Sequence, residues 1–252
     1  MTEWMAFRLA ERSVPPIGHK NSNEIMLDRT KNLSEILASP NEAALSHSNK
    51  FDGLHLSPHF SLGELTKTSF KTDDNNEPPL EVVENLIDLC ENWLEELRFN
   101  YNTIYVLNSI EDYYTSKEVE PLVINQGYRS YQVMLAMKKA GLNPSPTSNH
   151  MKGCAVDIRC AGVEQALRYM TILIDIADQK RQDFDELFLE RRAYKATYRQ
   201  GAEQQANRQQ ATINRQPPIA NGQQLMANGY IYWLHFAARP KDNRRKIGFI
   251  LK

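Results

Sequence analysis

The 252-residue sequence predicts an α+β fold, a small mixed or antiparallel sheet with helices packed against it, and three observations lead there. Helical and short strand candidates are mixed along the chain without the regular alternation that builds a doubly wound sheet. One long stretch carries apolar residues at clear helical spacing. A content of 41% hydrophobic and 24% charged residues supplies enough apolar material for one sizeable core.

Taken in order, residues 1–55 mix Asn, Ser, Lys, Glu and short apolar groups without a sustained period, apart from a short helix predicted within Asn32–Ala44 from near Ser34. They read as a loosely structured extension, and 56–252 as the domain. Ser61 followed by Glu64 is a capping-box pattern that starts a short helix, with His59 just ahead of it. After Pro78-Pro79, the residues Val83, Leu86, Ile87, Cys90, Trp93, Leu94 and Leu97 form one apolar stripe, predicting an amphipathic helix that faces the core. Pro121 to Asn125 is a strand candidate. It leads through Gly127-Tyr-Arg-Ser130 into a helix with Ser130 as N-cap and Gly141 as stop. Cys154 to Ile158 reads as a strand and Val163 to Ala177 as a helix with Val163, Ala166, Leu167, Met170, Leu173 and Ile176 inward. Asp185–Glu190 and Tyr230–Ala237 are two further strands. Between them, 191–224 holds eight Gln, six Lys or Arg and one Glu, a composition too poor in apolar groups for core and read as an insertion.

A formal net charge of −1 gives no electrostatic reason to expect nucleic acid or an anionic membrane as partner. No stretch approaches the roughly 18 apolar residues of a membrane span. Trp4 to Ala10, interrupted by Arg8, does not make the apolar core of a secretory signal, so synthesis in the cytoplasm without a signal peptide is expected. Three cysteines, Cys90, Cys154 and Cys160, with no CxxC pair argue against a disulfide framework.

The chemistry concentrates in Ser148-Asn-His-Met-Lys-Gly-Cys-Ala-Val-Asp-Ile158, where an imidazole and a carboxylate stand seven residues apart across a glycine turn. Strand alternation sets Ala155 and Asp157 on one face, with Val156 and Ile158 behind. Downstream, Trp233 and His235 share a face opposite Tyr232, Leu234 and Phe236. His150, Asp157 and His235 together suit a catalytic zinc ion whose fourth position is left to water.

The ordered set S-x-H-x-x-G-x-A-x-D-I, preceded by G-Y-R-S and followed by W-x-H, resembles the zinc D,D-carboxypeptidase and endolysin family of peptidoglycan metallopeptidases. Phe60-Ser-Leu-Gly-Glu-Leu65 and Phe184-Asp-Glu-Leu-Phe-Leu-Glu190 resemble its compact branch, found in phage lysins and bacterial cell-wall enzymes. The likeness covers about residues 56–252 and implies a fold related to the Hedgehog signalling domain. It implies that His150, Asp157 and His235 bind zinc, that Arg129 holds substrate or stabilises the oxyanion, and that Ser148 positions the substrate. Tyr128, in the same turn as Arg129, is suited to a substrate groove or to the core, and is assigned to the groove. Some branches carry a general-base Glu three residues before the last His, where this chain has Tyr232; the resemblance to the compact branch instead implies Glu190, which matches the Glu of that pattern.

The expected function is therefore hydrolysis of peptidoglycan stem peptides, by a carboxypeptidase or a lysin-type endopeptidase. Such a protein is expected to be a monomer acting on the cell wall after release. The alternative is a non-catalytic zinc-stabilised binding or virion-structural module of the same fold.

Overall fold

Ser61 opens the first helix as its spacing to Glu64 predicts. In the computed structural model, which describes residues 53–193 and 229–251, its hydroxyl accepts the Glu64 N–H at 3.1 Å and starts α1, Leu62–Thr66. The Glu64 carboxylate accepts instead from the Ile124 N–H at 3.4 Å, tying α1 to the first strand of the main sheet. Just upstream, β1 (His55–Ser57) and β2 (Phe60–Ser61) form a small antiparallel pair. All described residues belong to the compact unit Ser48–Lys252. The helix expected near Ser34, and 194–224 of the expected insertion, lie outside the described residues.

The striped stretch after Pro78-Pro79 is helical from Leu80 to Tyr105. It runs as α2 (Leu80–Leu89), a π-helical stretch (Cys90–Leu94) and α3 (Glu95–Tyr105). Val83, Leu86, Ile87, Cys90, Trp93, Leu94 and Leu97 are all buried. Each large side chain removed from water in this way contributes about 2 kcal/mol. Trp93 packs on Phe236 with ring centroids 5.1 Å apart, which fastens this helical run to the sheet. A short helix, α4 (Ile110–Thr115), follows with a full capping box between Ser109 and Asp112. Ser130 caps α5 (Tyr131–Lys139) as expected, its hydroxyl accepting from the Val133 N–H.

The main sheet has five strands: β3 (Ile124–Gln126), β4 (Ala155–Cys160), β5 (Glu186–Ala193), β6 (Tyr230–Ala237) and β7 (Lys246–Leu251), in the order β3-β4-β6-β5-β7. All neighbours are antiparallel except β5 and β7, so the sheet is mixed and the protein is α+β. One sheet face is apolar: Val156, Ile158, Leu187, Leu189, Leu234 and Phe236 are buried there. The helix α6 (Val163–Lys180) packs on β4, β5 and β6.

Three expectations need correction. Val163 and Leu167 are 46% and 44% exposed, and Tyr169, Ile172 and Ala177 share the buried side of α6 instead. The helix is rotated to that phase because Tyr169 packs edge-on against Tyr101 of α3, at 4.7 Å between centroids. Strand pairing with β6 carries β5 on to Ala193, so the first three residues of the expected insertion are sheet. Finally, β3 begins at Ile124 rather than Pro121. No helix among the described residues is long and apolar enough to cross a membrane.

Candidate metal centre

Two turns present the centre, and a glycine permits each. At Gly127 a Cβ would lie 2.3 Å from the Leu65 carbonyl oxygen, so only glycine lets the Gly127–Ser130 turn press against α1. The next residue, Tyr128, donates its N–H to that same carbonyl. Buried Asn76 fixes the rest of the turn: its Oδ1 accepts the Ser130 N–H at 2.7 Å and its amide donates to the carbonyls of Thr66 and Tyr128. The second turn starts at Ser148, whose hydroxyl accepts the His150 N–H and caps a 3-10 turn over Asn149–Lys152. Gly153 ends it at φ +69, with the Val82 carbonyl oxygen only 2.6 Å from where a Cβ would sit. The chain then enters β4 and brings Asp157 to the polar face.

On that face the register pairs Asp157 with His235, and Phe188 lies across from His235 on its other side. His150 Nδ1 is 2.7 Å from the Gly127 carbonyl oxygen, which can only accept, so Nδ1 carries the hydrogen and Nε2 is left as a donor atom for a metal. Nε2 lies 3.4 Å from Asp157 Oδ1, and His235 Nδ1 lies 2.9 Å from the same oxygen. One donor atom from each of the three residues falls within 4.8 Å of the others. Ligands at about 2.0–2.2 Å in a tetrahedron stand roughly 3.3 Å apart, so this donor set fits a zinc-sized ion with little movement.

The outward nitrogens are held as well. His235 Nε2 faces Glu186 Oε2 at 3.5 Å, an arrangement in which a carboxylate orients a ligating imidazole. Glu186 in turn accepts from Asn149 Nδ2 at 3.2 Å and from Arg244 at 2.6 Å. Asp185, fully buried, accepts from Asn149, Arg239 and both the backbone and guanidinium of Arg244. Burial alone would raise the Asp185 pKa, but the bonds from Arg244 and Asn149 outweigh it and hold the carboxyl at about 2. Asp157 is likewise pushed up by burial and brought well below the usual carboxylate range by the His150 and His235 imidazoles. Burial disfavours charge on His235, yet its bonds to Asp157 and Glu186 raise it to about 9. Metal binding must therefore displace a proton from Nδ1.

Of the residues expected at the site, the structure brings His150, Asp157 and His235 together. Arg129 is buried beside them: its N–H donates to the His150 carbonyl, its guanidinium donates to Gln126, and its Nε has no partner. Burial lowers its pKa while the charge of Asp157 pulls it back up. Ser148 serves first as the cap of the histidine turn, and Tyr128 is buried. Glu190 stands across from Trp233, two register positions from the Phe188–His235 pair and so on the same face. Besides Asp157, Glu186 is the carboxylate that faces His235, at 3.5 Å from its Nε2. The cysteines are buried and free, and burial pushes the Cys154 and Cys160 thiols up to about 11 and about 12, away from the thiolate form that binds metal. Sequence reasoning missed Asn76, Asn149, Asp185, Arg239 and Arg244.

No family model matches this chain, and neither a curated protein nor a solved structure does.

Proposed function

We propose that this chain is a zinc-dependent peptidase of the Hedgehog/D,D-peptidase fold that hydrolyses stem-peptide bonds of peptidoglycan. The observation that carries the reading is the convergence of His150 Nε2, Asp157 Oδ1 and His235 Nδ1, with both imidazoles backed on their outer nitrogens by Gly127 and Glu186. A zinc ion held by these three residues supplies Lewis acidity toward a carbonyl and acidifies water toward neutral pH.

The remaining work falls to the chain's own groups. Arg129, with an unpartnered buried Nε, offers positive charge and a donor for the oxygen on which charge builds. Glu190 is the diagonal neighbour of His235 across the β5–β6 pair, a relation that sets side-chain origins about 7–8 Å apart. In this reading Glu190 takes the proton of the attacking water and returns it to the leaving amine. Glu186 holds the His235 ring in its ligating orientation.

The test is zinc content together with turnover. Purified protein should hold about one zinc per chain, and His150→Ala, Asp157→Ala and His235→Ala should each lose it by elemental analysis. Zinc-loaded protein should release peptide fragments from purified sacculi, identified by mass spectrometry. Retained zinc without fragments would favour the non-catalytic module, and undiminished zinc in the alanine variants would remove the metal site itself.

A further inference from the structure

Beyond the metal on the same sheet face lies a row of three residues in register: Arg159 on β4, Trp233 on β6 and Glu190 on β5. The next outward-facing residue of β5 is Arg192, whose guanidinium carbon sits 5.9 Å from the centre of the Trp233 ring. Arg168, Arg239, Arg244 and Arg245 are all tied to carboxylates. Among the described residues Arg159 and Arg192 form no ion pair. Arg159 is half-buried and Arg192 exposed, and Trp233 between them is partly open to solvent.

An aromatic plane with one guanidinium over it and a second arginine opposite it in register suits a planar anion laid along an extended chain. Guanidinium groups are forked donors with no acceptor, so they bind a carboxylate and gain little from a carboxamide, which carries half the acceptor capacity and no charge. The row stands two residues along the strand from the Asp157–His235 pair, about 6.8 Å, which equals roughly two residues of a bound peptide. Glu190 in the same row leaves two cations against one anion.

We propose that Arg159 and Arg192, framing Trp233, form a subsite for a free carboxylate carried by the substrate within about two residues of the bond that is cut. This rests on the peptidase reading above and deepens it: the preferred substrate is a stem peptide whose acidic residue is not amidated.

The experiment compares two synthetic stem peptides that differ only in that group, free acid against amide, with the zinc-loaded full chain. Both kcat/KM and calorimetric affinity are measured at low and at physiological salt. The free acid should be favoured roughly tenfold or more, mostly through KM, and salt should erode the preference. In the Arg159→Ala/Arg192→Ala double variant the ratio should fall toward one, and Arg159→Lys should restore part of it. Equal handling of the two peptides by the wild-type chain would overturn the subsite, as would a ratio unchanged in the double variant. Binding that prefers the acid without any cleavage would support the subsite and sink the peptidase reading instead.

Discussion

Asp185→Asn is the sharpest test of how the centre is supported, because it keeps shape and removes only charge. In the folded chain this buried carboxylate gathers Asn149, Arg239 and Arg244. A carboxyl held at about 2 against an ordinary value near 3.9 contributes about 2 to 3 kcal/mol of stability at neutral pH. Complete loss of one partner of a buried pair costs about 3 to 5 kcal/mol. The lower figure applies here, because Arg239 and Arg244 are partly exposed and recover hydration. For a folded unit of this size that is a fall in Tm of about 5 to 10 °C at pH 7. The sign with pH follows from a folded pKa below the unfolded one: the contribution is complete above about pH 4 and disappears as pH falls through 2. Urea unfolding of wild type and variant across pH 7 to 2, both zinc-free, measures it. Equal stabilities at pH 7 would refute the reasoning, and so would a gap that stays constant below pH 4.

Other substitutions separate the remaining roles. Gly153→Ala meets both a positive φ and the Val82 carbonyl, so it should destabilise by about 2 to 4 kcal/mol and weaken zinc binding. Gly141→Ala, also at positive φ but facing open space, should cost only about 1 kcal/mol and leave zinc affinity alone; equal effects at the two glycines would discard the contact with α2 as a determinant. Glu190→Gln should cut turnover by about two to four orders of magnitude with zinc still bound, and near-normal kcat would remove Glu190 as the base. Glu186→Gln should lower zinc affinity about 10- to 100-fold in chelator competition, through its hold on His235, and an unaltered affinity would show that contact to be incidental.

Much of the triad was legible because it follows from short-range rules. A glycine between His150 and Asp157 signals the turn, and period-two alternation sets Asp157 and His235 apart from the apolar residues beside them. The capping serines at 61 and 130 act as their spacing predicts. What stayed hidden depends on partners distant in sequence. Asn76 sits in a polar loop and gains its role only through Thr66, Tyr128 and Ser130. The Asp185 cluster needs Arg239 and Arg244 delivered by the connection from β6 to β7, and β7 itself pairs in parallel with β5, a relation no local pattern announces. The rotation of α6 follows from Tyr169 meeting Tyr101 of α3. Two elements carried readable local signals beyond those: α4 in the Ser109-x-x-Asp112 box and β7 in the alternation of Ile247, Phe249 and Leu251.

The grouping of His150, Asp157 and His235 is in this sense a consequence of the core behind it. Tyr232, Leu234 and Phe236 are buried on one face of β6, with Phe236 held between Trp93 and Phe184. A slip of one residue in the pairing of β6 with β4 would turn all three outward and carry His235 into the apolar layer. Exposing three such side chains costs about 5 kcal/mol or more, a large share of the stability of any small domain. The same slip would separate His235 from Asp157, so the free energy that fixes the core register also fixes the donor spacing. Chemistry-bearing residues on the polar face can therefore vary while the geometry that gathers them is kept. Arg159 and Trp233 stand two residues further along β4 and β6, and Arg192 opposite Ile231 two beyond that on β5, so they inherit their relation to His150, Asp157 and His235 from the same apolar residues.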